Sequence, residues 1–397
     1  MTRTRLGIAL LVAAAILGVA AIALAGGHGD SDDGPHEGHT MTAATGGAHP
    51  VAGQFKPDET LLADCPADNQ RCYEQAFGNL AYNKGPKRAI AEFDETLATN
   101  DAVRGNCHRI VHMIGSASLA RFDGDVAQAF ALGSATCWSG YYHGILERAF
   151  AEVSSPAEVK AVSRTICDDP DIERTTFLLY QCVHGLGHGL MIYSGYDLPW
   201  ALEICDALAE DWDQTSCTGG VFMENISSSY GIDSKWVRDD DPLYPCPAMK
   251  ERHKLYCYLM VTSRINELNG FDWKQTAAAC GTVESGWAST CFESYGRDAS
   301  GWTLEEPAKI APLCELAGRH ETSCVYGAVR DLASFDPSGK RATRLCSVVA
   351  REFRERCWNG YGTIVATLHP GVAAQRKACD SAPAGYRAAC RLGAGIS

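Results

Sequence analysis

Eighteen cysteines, spaced at a regular interval, are the feature that most limits the folds open to this chain of 397 residues. Over the C-terminal half they form close pairs, whose later second members are Cys257, Cys291, Cys324, Cys357 and Cys390. Successive second members are 34, 33, 33 and 33 residues apart. A fixed period in the thirties is typical of stacked repeats. The pattern predicts an all-α fold, a tandem array of helical hairpins (α/α repeats) arranged as an open solenoid or a closed toroid.

The residues around each cysteine pair predict the layout of one repeat. An alanine-rich helical run ends at the first cysteine, as in KQTAAAC up to Cys280, and Asp272 suits the N-cap of that run. A glycine follows three residues after the second cysteine, as at Gly327 after Cys324. Each unit is therefore read as a helix, a short loop and a second helix. In period and helix-pair layout the array resembles tetratricopeptide repeats, but it lacks their consensus residues, so no function is implied.

An even number of cysteines in an exported chain indicates disulfide bonds. A ring of about 10–15 residues stabilises a fold by roughly 3 kcal/mol, because it restricts the unfolded chain. One spacing, from Cys107 to Cys137, breaks the pattern, and a free thiol beside histidine would instead be a metal ligand. Pairing in sequence order predicts nine bonds: Cys65–Cys72, Cys107–Cys137, Cys167–Cys182, Cys205–Cys217, Cys246–Cys257, Cys280–Cys291, Cys314–Cys324, Cys346–Cys357 and Cys379–Cys390.

The N-terminus predicts export from the cytoplasm. Arg3 and Arg5 precede an uncharged apolar run over residues 6–25, which ends in the cleavage-like triplet Ala23-Leu24-Ala25. Residues 1–25 are therefore either a cleaved signal peptide or an N-terminal membrane anchor, since about 20 apolar residues can also span a bilayer. Either outcome makes the rest of the chain secreted or extracytoplasmic, tethered to the membrane by residues 6–25 if cleavage does not occur.

Residues 26–57 are predicted to form a disordered tether rich in His, Gly and Asp, because their composition offers too little apolar surface to offset chain ordering. Four histidines in this stretch suggest either a solvated linker or a weak, labile metal-binding tail. Residues 58–397 are assigned to the disulfide-rich helical repeat domain. Within that domain, the residues between 104 and 194 carry a predicted metal site and residues 195–397 are read as scaffold repeats.

The charge of the chain excludes one class of partner. The formal net charge is −13, and no basic run occurs. Because phosphate contacts depend on clustered Lys and Arg, no nucleic-acid binding is expected.

Histidines cluster in one part of the predicted repeat domain. Of the eight outside the tether, five fall between positions 108 and 188. They form three pairs with a spacing of four residues, one pair being completed by a glutamate. Residues four apart share one face of a helix, and imidazole and carboxylate are ligands preferred by transition metals. The predicted metal ligands are His108, His112, His143, Glu147, His184 and His188.

Any one of these pairs could have a purely structural role, since a single histidine near a helix start is usually a capping or hydrogen-bonded core residue. Three pairs in consecutive hairpins favour a site, because later repeats place Val221, Arg297, Arg330 and Thr363 at the corresponding positions. Glycines 185, 187 and 189 lower the helix propensity around His184, so an irregular turn is an alternative to a helix there.

Two functions remain open on the sequence. The first is an exported metal-binding helical-repeat protein holding Zn, Cu or Fe, and it is a metalloenzyme if the ion keeps an open coordination position. Glu147 would then be either a ligand or a general base. The second is a non-catalytic extracytoplasmic interaction scaffold, with a peptide or an envelope protein as the partner on its concave face.

Overall fold

The computed structural model describes residues 51–396, except positions 152, 233, 304, 305 and 337. The predicted signal peptide or anchor over 1–25, and residues 26–50 of the predicted tether, lie outside the described residues. The described part is all-helical and contains no strand. Its helices are α1 (Gln70–Lys84), α2 (Pro86–Leu97), α3 (Asp101–Gly105), α4 (Cys107–Arg121), α5 (Val126–Phe130), α6 (Gly140–Ala151), α7 (Pro156–Val162), α8 (Pro170–Glu173), α9 (Thr176–Tyr193), α10 (Leu198–Cys205), α11 (Asp211–Ile226), α12 (Glu251–Leu268), α13 (Trp273–Gly281), α14 (Ala288–Trp302), α15 (Pro307–Glu315), α16 (Glu321–Phe335), α17 (Lys340–Val348), α18 (Arg354–Leu368), α19 (Val372–Cys379) and α20 (Arg387–Gly393).

Local sequence accounts for where several of these helices begin. The side chain of Asp272 accepts hydrogen bonds from the backbone N–H groups of Lys274 and Gln275 at 3.0 and 3.1 Å. These bonds satisfy donors that have no partner inside the helix. The N-cap expected at Asp272 is therefore confirmed, and Pro307 opens α15, where its missing N–H costs nothing.

The helices pack in pairs around a continuous apolar core. The long helices α4, α6, α9 and α11 contact one another in chain order, and α12, α14, α16, α18 and α20 continue the series. Short helices such as α10, α13 and α17 pack against the long helix that follows each of them. Helix α9 also contacts α18, which is far from it in sequence. This order brings α4, α6 and α9, which carry the histidines, side by side.

All nine predicted disulfide bonds are present with the predicted pairing. No cysteine of the described residues is free, and Cys107 is bonded to Cys137. The alternative in which one of these two thiols binds a metal ion is therefore wrong. In most pairs the first cysteine ends a short helix and the second lies near the start of the next long helix, as for Cys280 in α13 and Cys291 in α14.

The packed body begins earlier than residue 58, where the sequence placed it. Ala52 and Phe55 are almost completely buried. The backbone N–H of Ala52 donates to the hydroxyl of Tyr230 at 2.8 Å, and the Ser116 hydroxyl donates to the Ala52 carbonyl at 2.5 Å. Residues 52–55 therefore belong to the packed body and not to the predicted tether. Of the helices in the described residues, none combines the length and apolar character that a bilayer crossing requires.

Glycine allows the histidine-bearing helices to touch backbone to backbone. A Cβ added to Gly144 in α6 would lie 1.9 Å from the His112 carbonyl oxygen, and one added to Gly115 in α4 would lie 1.9 Å from the Tyr141 oxygen. A side chain at either position would force the two helices apart. The short approach is therefore one reason why histidines on α4 and α6 can meet.

Replacing Gly144 with alanine is expected to lower the free energy of unfolding by on the order of 1–3 kcal/mol, because the new methyl group overpacks a rigid contact. Urea denaturation of the full chain measures this change. Gly281→Ala in α13 is the matched control, since a Cβ there meets nothing within 4 Å. Equal denaturation midpoints for the two variants would contradict the close contact.

Candidate metal centre

Four buried imidazoles and the half-buried imidazole of His108 converge where α4, α6 and α9 pack together. Helix α6 contacts both α4 and α9, so its histidine, His143, lies in the middle of the group. The His143 ring centroid is 5.4 Å from that of His108 and 5.3 Å from that of His112. It is 5.6 Å from that of His184 and 4.0 Å from that of His188. All five predicted histidines are thus brought together.

The five rings form two overlapping groups of three. The first consists of His108, His112 and His143, and the second of His143, His184 and His188. In each group one ligand atom per residue lies within 4.8 Å of the others. We call them the first and second triads. Three imidazole nitrogens are a donor set that leaves a coordination position open on a four-coordinate ion.

A buried glutamate orients one histidine of each triad. Nδ1 of His112 is hydrogen-bonded to Oε1 of Glu147 at 2.5 Å, and Nδ1 of His188 to Oε2 of Glu224 at 3.0 Å. All four side chains are almost fully buried. Metal-binding histidines commonly hold a carboxylate at the ring nitrogen that faces away from the ion, which fixes the ring and its tautomer. The arrangement therefore directs Nε2 of both rings into the cluster.

Backbone carbonyls orient two further rings in the same way, by accepting a hydrogen bond from Nδ1. Nδ1 of His108 donates to the carbonyl oxygen of Cys137 at 2.8 Å, and Nδ1 of His184 donates to that of Ser216 at 3.3 Å. A carbonyl only accepts, so the hydrogen of each neutral ring must be on Nδ1. Nε2 of both rings is then unprotonated, and its lone pair is free to bind a metal ion.

Several imidazole nitrogens lack the partners that buried polar groups need. Among the described residues, neither nitrogen of His143 has a hydrogen-bond partner, and Nε2 of His188 has none. Leaving a buried donor or acceptor unsatisfied costs about 1–3 kcal/mol. In addition, Nε2 of His108 lies 2.9 Å from Nε2 of His112. Because the His108 nitrogen is a lone pair, this contact requires a proton or a metal ion between the two rings.

Burial keeps the imidazoles neutral. It lowers the pKa of His108 and of His112 to about 4 and that of His184 to about 3. It also lowers the pKa values of His143 and His188 well below the ordinary value of a histidine. Neighbouring imidazoles lower the pKa of His143 further, since each disfavours a second positive charge. Neutral imidazole is the form that binds metal ions. Near neutral pH the cluster is therefore ready for an ion without losing protons from imidazolium groups.

Glu147 lies behind His112 and belongs to neither triad. Its Oε1 is bonded to His112, and its Oε2 accepts from the hydroxyl of Tyr230 at 2.5 Å. Burial raises the pKa of Glu147 to about 8. With both oxygens engaged, it is placed to orient His112 and not to bind an ion directly.

Two side chains of the site were not predicted. Glu224 lies on α11 and Tyr230 follows that helix, so both come from residues 195–397, the segment read as scaffold. The Tyr196 hydroxyl donates to Oε1 of Glu224 at 2.7 Å. A signal was present in the sequence, since each glutamate follows its histidine by an interval close to the cysteine period, 35 residues for Glu147 and 36 for Glu224.

Helix α9 is continuous through the glycine-rich stretch, so the irregular turn considered around His184 is wrong. Gly187 in this helix packs against the Cys217 carbonyl oxygen, 2.1 Å from where its Cβ would be. Histidines elsewhere have ordinary packing roles: His253 is bonded to Asp206 at 2.9 Å, and His320 stacks on Phe292.

A cavity of about 450 Å³ adjoins the cluster, and His143 and His184 form part of its wall. Both residues belong to the second triad, so an ion held there would face this space.

Comparisons with known proteins give no relative: no family model, no curated protein and no solved structure matches the chain.

Proposed function

We propose that this protein binds a transition-metal ion, Zn, Cu or Fe, in the histidine cluster formed by α4, α6 and α9. The observation that carries the proposal is the convergence of five imidazoles, four of them buried, in which three ring nitrogens have no hydrogen-bond partner among the described residues. Imidazole is a preferred ligand of these metals. A bound ion would supply the missing partner for His143 and His188 and would explain the close contact of His108 with His112.

Packing alone is a poorer explanation of the cluster. Leu or Phe would fill the same space without unsatisfied nitrogens and would be more stable there. The two buried glutamates would also be unfavourable in an apolar core, because burial raises the pKa of each. A set of five histidines with carboxylates behind two of them is the donor set expected of a metal site.

The proposal includes an extracytoplasmic location and a tandem-repeat scaffold. Nine intramolecular disulfide bonds favour an oxidising compartment, in agreement with the export signal expected at the N-terminus. The cysteine period and the chain-order packing of the long helices support a solenoid or toroid of hairpins. The repeats would then be the scaffold on which the centre is built.

Within this proposal a metalloenzyme is favoured over a closed storage site. Each triad supplies three ligands, and two members of the second triad face a cavity. An ion with three protein ligands and an open position can bind and activate water or a substrate group. Glu147 is assigned an orienting role at His112, because both of its oxygens are engaged.

Metal analysis of the purified full chain tests the proposal. After incubation with Zn, Cu and Fe salts and removal of free ions, at least one equivalent of one metal per chain is expected. The double variant His112→Ala/His188→Ala removes one ligand from each triad and is expected to lose this metal. His253→Ala is the control, since His253 is also buried and carboxylate-bonded but lies outside the cluster. Metal at background level in the unmodified chain, or full retention by the double variant, would refute the proposal.

A further inference from the structure

We infer that the cavity beside the second triad is a substrate pocket, and that it takes a small, largely apolar organic molecule carrying an aromatic ring and a metal-binding oxygen group. This inference rests on the proposed metal centre. The cavity measures about 450 Å³ and is bordered by residues from α6, α9, α11, α12, α14, α16 and α18. That volume lies in the range of about 300–1,000 Å³ typical of pockets for small organic ligands.

The cavity and the second triad share two residues. His143 and His184 line the cavity, and Ser216, whose carbonyl holds the His184 ring, lines it as well. An ion bound by the second triad would therefore present its open coordination position toward the cavity. A ligand oxygen could reach the ion while the remainder of the molecule stays in the cavity.

Six Phe, Tyr and Trp side chains line the cavity. They include Phe177, Tyr180, Trp212, Tyr256 and Phe335. Tyr180 also stacks on the His184 ring, at a centroid distance of 5.2 Å and an angle of 21°. Aromatic walls favour flat apolar groups, which stack or pack edge to face against them. The stacked tyrosine extends this surface to the metal ligand itself, so an aromatic group would lie next to the ion.

Two tryptophans suggest how a molecule from solvent enters. Trp138 and Trp212 both line the cavity, although 44% and 42% of their surfaces remain exposed. Large apolar side chains that are partly exposed beside a cavity mark a place where ligands or partners bind.

A cation at the wall adds a preference for oxygen anions. Arg330 lines the cavity, and its Nε has no hydrogen-bond partner among the described residues. Arg330 forms a loose ion pair with Glu293, at 3.9 Å, and Glu293 and Asp331 line the cavity as well. The free donor of this guanidinium can therefore bind a carboxylate or phenolate oxygen on the molecule.

Two hydroxamates applied to the cobalt-loaded full chain test the inference. Acetohydroxamate and benzohydroxamate carry the same metal-binding group and differ by an apolar ring. Cobalt(II) in place of the native ion reports ligand binding through its visible absorption bands. Both compounds are expected to change these bands, and benzohydroxamate is expected to bind at least about 10-fold more tightly, since its ring is buried against the aromatic walls.

Cavity-filling variants give the control. Ile364→Trp and Thr367→Phe change cavity-lining residues on α18, a helix that carries none of the five histidines. Each is expected to remove the advantage of benzohydroxamate while cobalt uptake and acetohydroxamate affinity stay unchanged. Val348→Trp, at an exposed position outside the cavity, should change nothing. Failure of the unmodified chain to take up cobalt would overturn the metal centre and this inference together. Cobalt uptake with no spectral response, or with equal affinity for the two compounds, would overturn the pocket alone.

Discussion

Replacing His143 with alanine should remove metal binding, whereas replacing His108 should leave a site with nearly normal affinity. The difference follows from geometry, since His143 is common to both triads and His108 belongs only to the first. Without His143 each triad keeps two ligands. Without His108 the second triad of His143, His184 and His188 is intact. Loss of a group behind a ligand costs about 10–100-fold in metal affinity, so loss of the shared ligand should exceed that.

Competition with a chromogenic chelator measures these affinities, and circular dichroism on the same samples checks that each variant is folded. His253→Ala again serves as the control, because it removes a buried histidine without touching the cluster. Equal losses for His143→Ala and His108→Ala would show that the rings act as one set and that the description as two triads sharing a ligand is wrong.

Much of the histidine cluster could be predicted because its members obey short-range rules. His108 and His112, like His184 and His188, are four residues apart on continuous helices, so they share a face. The cysteine period placed these helices in consecutive hairpins, and all nine disulfide pairings were confirmed. Local spacing and a repeat register were therefore enough to bring five histidines into one group.

The exact alignment of the histidines depended on the relative position of neighbouring helices along their axes. The spacing of the cysteines did not determine that position. Gly144 packs against the His112 carbonyl oxygen, and Gly220 packs in the same way against that of His184. These contacts make His112 and His184 equivalent, although they follow their cysteines by five and by two residues. Matching helix positions by their distance from the cysteine was therefore wrong by three residues, almost one turn of a helix.

The same cause hid the groups that support the ligands. Glu224 reaches His188 from the next long helix, and Tyr230 reaches Glu147 from a loop 83 residues further along the chain. The Tyr230 contact follows from tertiary packing alone, whereas the 36-residue spacing of His188 and Glu224 lies close to the cysteine period and could have been used. Ala52, in the stretch read as tether, is bonded to Tyr230 for the same reason.

Acid should destabilise the metal-free protein strongly between pH 7 and pH 5. Burial lowers the pKa of His108 and of His112 to about 4, while an unfolded histidine titrates near 6.5. The unfolded chain therefore binds protons first as the pH falls. The stability associated with these rings is complete above pH 6.5 and is lost as the pH falls toward 4. At pH 5 each ring accounts for a loss of about 2 kcal/mol.

The buried carboxyls act in the opposite direction. Burial raises the pKa of Glu147 to about 8 and also raises that of Glu224. The folded state then binds protons that the unfolded state does not, so these two groups favour folding as the pH falls below about 8. Five imidazoles outnumber two carboxyls, and the net result should be a loss of several kcal/mol at pH 5. Urea denaturation in the presence of a chelator measures it, and an unchanged midpoint between pH 7 and pH 5 would contradict the burial of neutral rings.

Replacing His143 with leucine tests separately whether this residue is needed for metal binding and whether it is needed for the stability of the fold. Neither nitrogen of His143 has a partner among the described residues, and burial and the surrounding imidazoles both hold its pKa low. Leucine removes the unsatisfied nitrogens and one acid-sensitive group. The metal-free variant should therefore be more stable than the unmodified chain by about 1–3 kcal/mol at pH 7, and its stability should fall less at pH 5. It should also bind no metal. A variant less stable than the unmodified metal-free chain would show that the His143 ring makes packing contacts that leucine cannot replace, and would contradict the argument from its unsatisfied nitrogens.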